Sequence, residues 1–347
     1  MADFLQLHLI TSYGPACLNR DDTGRPKTAV IGGVERLRIS SQSLKRAWRT
    51  SDVMQQALAD HMGKRTKRIG EEIMNHLVGI EVPEAKALKV VREVAAVFGA
   101  VQNDGPRIKQ LAFVSPEEYA AALAVAVRMA AGESVDLNTE LILRRDDTAA
   151  DIAMFGRMLA DKPDYNREAA VQVAHAVTTH RVVTEDDFFT ALDDLGAASD
   201  DEGAGAAHIG VREFGAGVFY TYICVDRGLL CSNLSGNAEL AATTIAALVQ
   251  AATTVSPSGH QASYASYAYA SYVLAETGNQ QPRSLVAAFT KPVTGQDQVA
   301  ESIKRLNTFR SVLDAAYGQS WSAQAVLDAS GEKPVGTLAD VITLARG

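Results

Sequence analysis

Ile39-Ser-Ser-Gln-Ser-Leu-Lys-Arg-Ala-Trp-Arg49 reads as the opening of a helix. Ser40 or Ser41 can cap it, and helical periodicity runs from Leu44 onwards. Leu44, Ala47 and Trp48 share one face, while Gln42, Lys45 and Arg49, spaced by three and four, share another. A capped helix start presents free backbone N–H groups and the positive end of the macrodipole, so cations within its first two turns make it a docking point for phosphate. Working outward, residues 23–49 carry seven basic side chains (Arg25, Lys27, Arg36, Arg38, Lys45, Arg46, Arg49) against one acid, Glu35, in a chain of formal net charge -8. That contrast marks a local anion-binding surface on a protein that would otherwise repel nucleic acid. A basic helix face is ordinarily only solvated, but the Ser cap, the amphipathic split and the upstream Arg25, Lys27, Arg36 and Arg38 all point the same way.

Around this stretch lie Cys17-Leu-Asn-Arg-Asp-Asp22, Gly24-Arg-Pro-Lys-Thr-Ala-Val-Ile-Gly-Gly33 and Arg36-Leu-Arg-Ile-Ser-Ser-Gln-Ser-Leu-Lys-Arg46. Further on come Phe155-Gly-Arg-Met158, Ala174-His-Ala-Val-Thr-Thr-His-Arg181, Asp187-Phe-Phe-Thr-Ala-Leu-Asp-Asp-Leu195 and His208-Ile-Gly-Val-Arg-Glu-Phe-Gly-Ala-Gly-Val-Phe-Tyr220. With these motifs in this order, the chain resembles the CasC family, the backbone subunits of Cascade, the type I-E CRISPR effector, in the Cas-seven superfamily. The resemblance covers most of the chain and is weakest between residues 50 and 150.

Composition and patterning set their own bounds. At 347 residues and 47% hydrophobic, the chain is long enough for about two domains' worth of core. Its start lacks a basic n-region and no apolar run reaches the roughly 20 residues of a membrane span, so a cytoplasmic protein is expected, with no membrane partner. Three cysteines (Cys17, Cys224, Cys231), odd in number and without a CxxC pair, fit reduced thiols. The organisation reads as α+β. Phe4-Leu-Gln-Leu-His-Leu-Ile10 alternates, with Leu5, Leu7 and Leu9 on one face, as a half-buried strand. Residues 60–164 are expected to be mostly helical, residues 215–225 a strand, and residues 238–255 a long Ala-rich helix ended by Ser256-Pro-Ser-Gly259.

The resemblance implies the rest of the fold: an RRM/ferredoxin-like palm with inserted helical fingers and a β-hairpin thumb, in a right-hand shape. The expected boundaries are palm at residues 1–59, 166–183 and 214–347, fingers at 60–165 and thumb at 184–213. RRM-type sheets take single-stranded RNA, which gives the local charge a ligand. The implied function is to bind the backbone of a CRISPR guide RNA, polymerise along it and present it to target DNA, as a non-enzymatic subunit without cofactor. The implied partners are the crRNA, target DNA through it, further copies of the chain in a helical filament (a hexamer in the family), and the other Cascade subunits: large, small, crRNA-processing and 5'-handle-binding. The implied RNA contacts are Asn19, Arg20, Lys27, Ser40, Gln42, Lys45, Arg46, Arg49, His260 and Gln261.

Met158 is added to that set. A Met flanked by Met154, Phe155 and Leu159 is ordinarily core filler, but the family's Gly-Arg-Met methionine wedges between bases, which separates base steps without reading their edges. The thumb candidate is acidic, with Glu185, Asp186, Asp187, Asp193, Asp194, Asp200, Asp201 and Glu202 and no Lys or Arg between Arg181 and Arg212. Such a hairpin binds phosphate poorly by itself and reads as an arm for a neighbouring copy. Where the family commonly has Lys-Gln after a Pro-x-Gly turn, Pro257-Ser-Gly-His-Gln261 places the titratable His260. His175 and His180 lack companions for a zinc set and read as structural. The one opening for catalysis is the Asp21-Asp22 pair, because related type III backbone subunits cut RNA with a loop aspartate. A metal-dependent endoribonuclease using Asp22 is therefore the alternative, against Asp22 holding its loop by local hydrogen bonds.

Overall fold

The computed structural model describes residues 3–159, 161–191 and 208–347. The chain opens with β1 (Phe4–Ala16), β2 (Thr28–Ile31) and β3 (Val34–Ile39), then α1 (Ser41–Arg49) and α2 (Asp52–Ala57). A helix-rich stretch follows: β4 (Lys64–Thr66), α3 (Ile69–Gly79), α4 (Glu84–Ala95), β5 (Ala112–Val114), α5 (Pro116–Ala130) and α6 (Ala150–Phe155). Next come β6 (Val171–Val173), β7 (Ala176–Thr178), β8 (Glu185–Ala191) and β9 (His208–Asp226). The last third holds α7 (Arg227–Asn233), α8 (Ala238–Thr254), α9 (Gln261–Tyr264), β10 (Ala270–Gly278), α10 (Gln298–Tyr317), β11 (Ala323–Asp328) and α11 (Leu338–Arg346).

The main sheet runs in the order β11-β10-β1-β9-β7-β3-β2, with β6 and β8 also paired to β9, and its ladders are antiparallel. The α+β class is thus as expected from the sequence. Strand β1 departs from the half-buried reading because both faces of the sheet are covered. Leu5, Leu7 and Leu9 pack in one core with Leu44, Trp48, Ile245 and Leu248. Ile10 lies in a second core, with Tyr220, Tyr272, Phe289, Ile303 and Leu306. On that second face the polar Gln6 and His8 are buried among polar neighbours. The Gln6 Oε1 accepts from Tyr222 Oη (2.8 Å) and Arg283 N (2.7 Å), and His8 Nδ1 lies 2.9 Å from Tyr220 Oη. Buried polar groups with partners are tolerated in a strand that alternation alone reads as facing water.

Residues 69–159 build a separate core from Ile73, Leu77, Val91, Val94, Val125 and Ile142. The helical expectation for this region holds for α3 to α6, while the short β4–β5 ladder (Lys64↔Val114 to Thr66↔Ala112) escaped it. Helix α8 matches its expected span closely. At the hairpin, β8 and β9 pair from Glu185↔Phe214 to Ala191↔His208, as expected for the base of the thumb candidate. Its acidic tip, including Asp193, Asp194, Asp200, Asp201 and Glu202, lies outside the described residues. Cys17, Cys224 and Cys231 are all free thiols. Among the described residues no helix is long and apolar enough to cross a membrane.

Candidate nucleic-acid interface

Helix α1 starts as its sequence demands. The Ser40 hydroxyl, at an extended residue (φ -68°, ψ 145°), accepts from Ser43 N at 3.2 Å, and Leu44 and Trp48 are buried on the inner face. Burying those two side chains stabilises the helix by about 2 to 3 kcal/mol each. The backbone just before the helix is tied from two sides. Asn19 Oδ1 accepts from Ser40 N at 2.9 Å, and His175 Nδ1 accepts from Ser41 N at 2.9 Å. The ladder Arg38↔Val177, Ile39↔Ala176 is what puts His175 there, one step beyond the last pair. Lys27 joins the group through its backbone, donating to Asn19 O (2.8 Å) and accepting from Arg38 N (2.7 Å). The structure therefore gathers Asn19, Lys27 and Ser40 together with Arg38 and His175. Partial burial and the nearby Arg38 and Lys27 charges hold the His175 imidazole below its usual range.

A second group forms where residues 17–20 meet the 256–261 loop. A Cβ at Gly259 would lie 2.3 Å from Leu18 O and 2.7 Å from Cys17 O, so glycine is required for this approach. His260 follows in a left-handed conformation (φ 48°), and its Nε2 is 3.3 Å from Arg20 Nη1. With Arg25, Arg212, Asp186, Glu213 and Tyr264 they line a cleft of about 470 Å³. Burial, with Arg20 and Arg212 adding to it, lowers the His260 pKa, so the imidazole is a neutral hydrogen-bonding group there. Gln261 begins α9, half-buried.

The second half of α1 divides three ways. Arg46 is exposed, as is Gln42 near the helix start. Lys45 is half-buried with its ammonium 5.6 Å from the Phe155 ring centre, and burial lowers its pKa. Arg49 is drawn inward, 5.3 Å over the Phe113 ring and 3.5 Å from Asp151 Oδ2. Beyond Phe155 the chain turns at Gly156 (φ 78°), and Arg157 is buried against Glu118 at 2.6 Å, also donating to Phe113 O, Arg144 O and Tyr165 O. Leu159 N then donates to Asn166 Oδ1 at 2.7 Å. Between these anchors Met158 stands 80% exposed, so it is no core filler.

Two expectations are corrected. Arg36 is fully buried and does not belong to the basic surface: β3 lies beneath residues 286–289, and its guanidinium donates to Thr178 O (3.1 Å) and Phe289 O (2.9 Å). In the loop, Asp21 rather than Asp22 makes the local hydrogen bonds. Its Oδ1 accepts from Thr23 N (2.9 Å), Thr23 Oγ1 (2.8 Å) and Arg25 N (3.0 Å), and the Thr23 hydroxyl foremost holds this carboxyl below its usual range. Asp22 is exposed beside it. Among the described residues no group of three or more His, Cys, Asp or Glu side chains is placed to hold a metal ion. Sequence reasoning missed His175 and Arg212 as neighbours of the interface, although the pairing of a His-Ala-Val strand with Arg-Leu-Arg-Ile was a signal for the first.

The family of CT1975-like proteins has a model that matches residues 5–342. The chain belongs to this family. No curated protein matches it. Among solved structures, this CT1975-like chain is similar to a chain of a "CRISPR RNA-guided surveillance complex, pre-nicking", at 28% identity and TM-score 0.83, over 99% of each chain. A chain from a "CRISPR RNA-guided surveillance complex" matches at 24% identity and TM-score 0.63, over 99% of this chain and 98% of that one, and bears on the fold alone.

Proposed function

We propose that this CT1975-like protein is the guide-RNA-binding backbone subunit of a CRISPR effector of the type I-E Cascade kind. It polymerises along the crRNA and presents it for pairing with target DNA, beside the large, small, crRNA-processing and 5'-handle-binding subunits. The observation that carries the reading is the end-to-end likeness to a chain of an RNA-guided surveillance complex. The geometry supports it: hydrogen bonds bring residues 19–27, 38–41, 175 and 260 together, and their side chains include donors suited to phosphate and 2'-OH groups. Sequence reading is left to the RNA, whose base edges a backbone-gripping protein does not contact.

In this reading Asn19, Arg20, Lys27, Ser40, Gln42, Lys45, Arg46, His260 and Gln261 form or shape the grip. Arg49 acts from behind, bracing α1 against α6, and Met158 is the apolar wedge. The palm, fingers and thumb are residues 1–59 with 166–183 and 214–347, 60–165, and 184–213. The subunit is a binder. Purified particles incubated with labelled complementary RNA in Mg²⁺ are expected to leave it intact while binding and opening complementary double-stranded DNA. Regularly spaced, EDTA-sensitive cuts that vanish in Asp22→Ala would move the chain into the nuclease class.

A further inference from the structure

The backbone N–H of Ser41 is a donor only, so the His175 Nδ1 that accepts from it at 2.9 Å carries a lone pair. A neutral imidazole with Nδ1 unprotonated carries its single proton on Nε2, and the tautomer is thereby fixed. His175 is exposed, and Nε2, on the far side of the ring, has no protein partner among the described residues. The neighbouring Lys27 and Arg38 likewise have no acidic partner among the described residues, although the chain is rich in acids. Two unpaired cations and an outward N–H donor, all bonded through one backbone network to the start of α1, form a site for a negatively charged oxygen.

We propose that His175 is a further guide-RNA contact, in which Nε2–H, aimed by the Ser41 hydrogen bond, donates to a phosphate oxygen that Lys27 and Arg38 also attract. This rests on the RNA-binding reading above. Unlike the two cations, the neutral ring adds a hydrogen bond without displacing a counterion, so it strengthens binding without steepening its salt dependence. Burial opposes its protonation, and so do the Arg38 and Lys27 charges, which face it from β3 and from the turn before β2.

The test uses the full chain and a single-stranded RNA oligonucleotide, with affinity measured across a salt series. His175→Asn keeps an acceptor for Ser41 N–H and removes the outward donor. It should weaken binding roughly fivefold with the salt slope unchanged, whereas Lys27→Ala or Arg38→Ala lowers the slope by about 0.7. His175→Gln, which restores a donor near the Nε2 position, should recover part of the loss. An unchanged affinity in His175→Asn while Lys27→Ala and Arg38→Ala weaken binding overturns the assignment of His175. A slope that falls in His175→Asn overturns it too, because the ring would then be a cation. If all three variants bind like the parent, the interface itself is misplaced. A readout independent of folding is the ¹⁵N spectrum of the histidine-labelled parent protein: Nε2 should be the protonated nitrogen and should shift on adding RNA. A proton on Nδ1, or an Nε2 resonance that RNA leaves in place, refutes the proposal.

Discussion

Arg49 and Asp151 meet 3.5 Å apart, the carboxylate fully buried and the guanidinium mostly so, which ties the end of α1 to α6. Asp151 Oδ1 also accepts from Gly63 N at 2.7 Å and Ile152 N at 3.1 Å, but its Oδ2 has no hydrogen-bond partner. Burial dominates, and pushes this carboxyl up to about 6.

A carboxyl whose folded value lies above its unfolded one costs stability once it ionises. The native state holds the extra proton between about pH 4 and 6, so this group's contribution is most favourable below that window and declines as pH rises through it. The difference amounts to ~3 kcal/mol at neutral pH. Asp151→Asn keeps the acceptor for Gly63 and Ile152 and removes the charge. Urea unfolding at pH 7.5 should therefore find the variant more stable than the parent, and the gain should shrink as pH falls through that window and vanish below about pH 4. A variant that is less stable at pH 7.5 would show that the Arg49 attraction outweighs the desolvation.

The salt dependence of RNA binding separates the three cations of α1. Arg46→Ala, at an exposed position, should weaken binding alike for every guide sequence and lower the salt slope by about 0.7. Lys45→Ala should do the same if its ammonium leaves the Phe155 ring for phosphate. Arg49→Ala should change thermal stability more than slope, because its charge is occupied within the protein. A guide-dependent change in affinity at constant slope would show that these side chains read bases.

Met158→Ala removes an exposed side chain, so the thermal midpoint should stay where it is, with an effect within ~0.5 kcal/mol. If Met158 is a wedge, pairing of the bound guide with a complementary strand should change in rate or extent. An unaltered pairing reaction would leave the exposed methionine without the assigned role.

Arg157 and Glu118 form a buried pair, and removing one member strands the other charge. Arg157→Ala should destabilise the chain by about 3 to 5 kcal/mol in urea unfolding. The double variant Arg157→Met with Glu118→Gln should recover much of that loss. If the single change costs less than 1 kcal/mol, the pair does not hold the Met158 turn.

The reading of α1 from Ser40 to Arg49 succeeded because every signal there is local: a cap, a period and a charge split within ten residues. Arg36 failed for the opposite reason. Whether a strand arginine meets water or a lid of carbonyls depends on residues 286–289, some 250 positions away, and no pattern around Arg36 records them. His8 and Gln6 failed likewise, since alternation marks which residues share a face but not whether that face is covered. Met158 ran against its local context, because hydrophobic neighbours imply a core and the exposure comes from Gly156 and the buried Arg157 turning the chain outward. The family's motifs located the contact candidates, while the partnership of Arg20 with His260 needed the sheet to bring the two ends of the chain together.

Strand β1 lies in the middle of the sheet, and both of its neighbours, β9 and β10, come roughly 200 residues or more later in the chain. A nascent polypeptide emerging from the ribosome thus carries an unzipped, strongly apolar segment until β9 and β10 have been made, and the sheet can close around β1 only then. The approach of Arg20 to His260 is absent until then. A chain that stops before residue 260 therefore lacks that part of the proposed RNA grip.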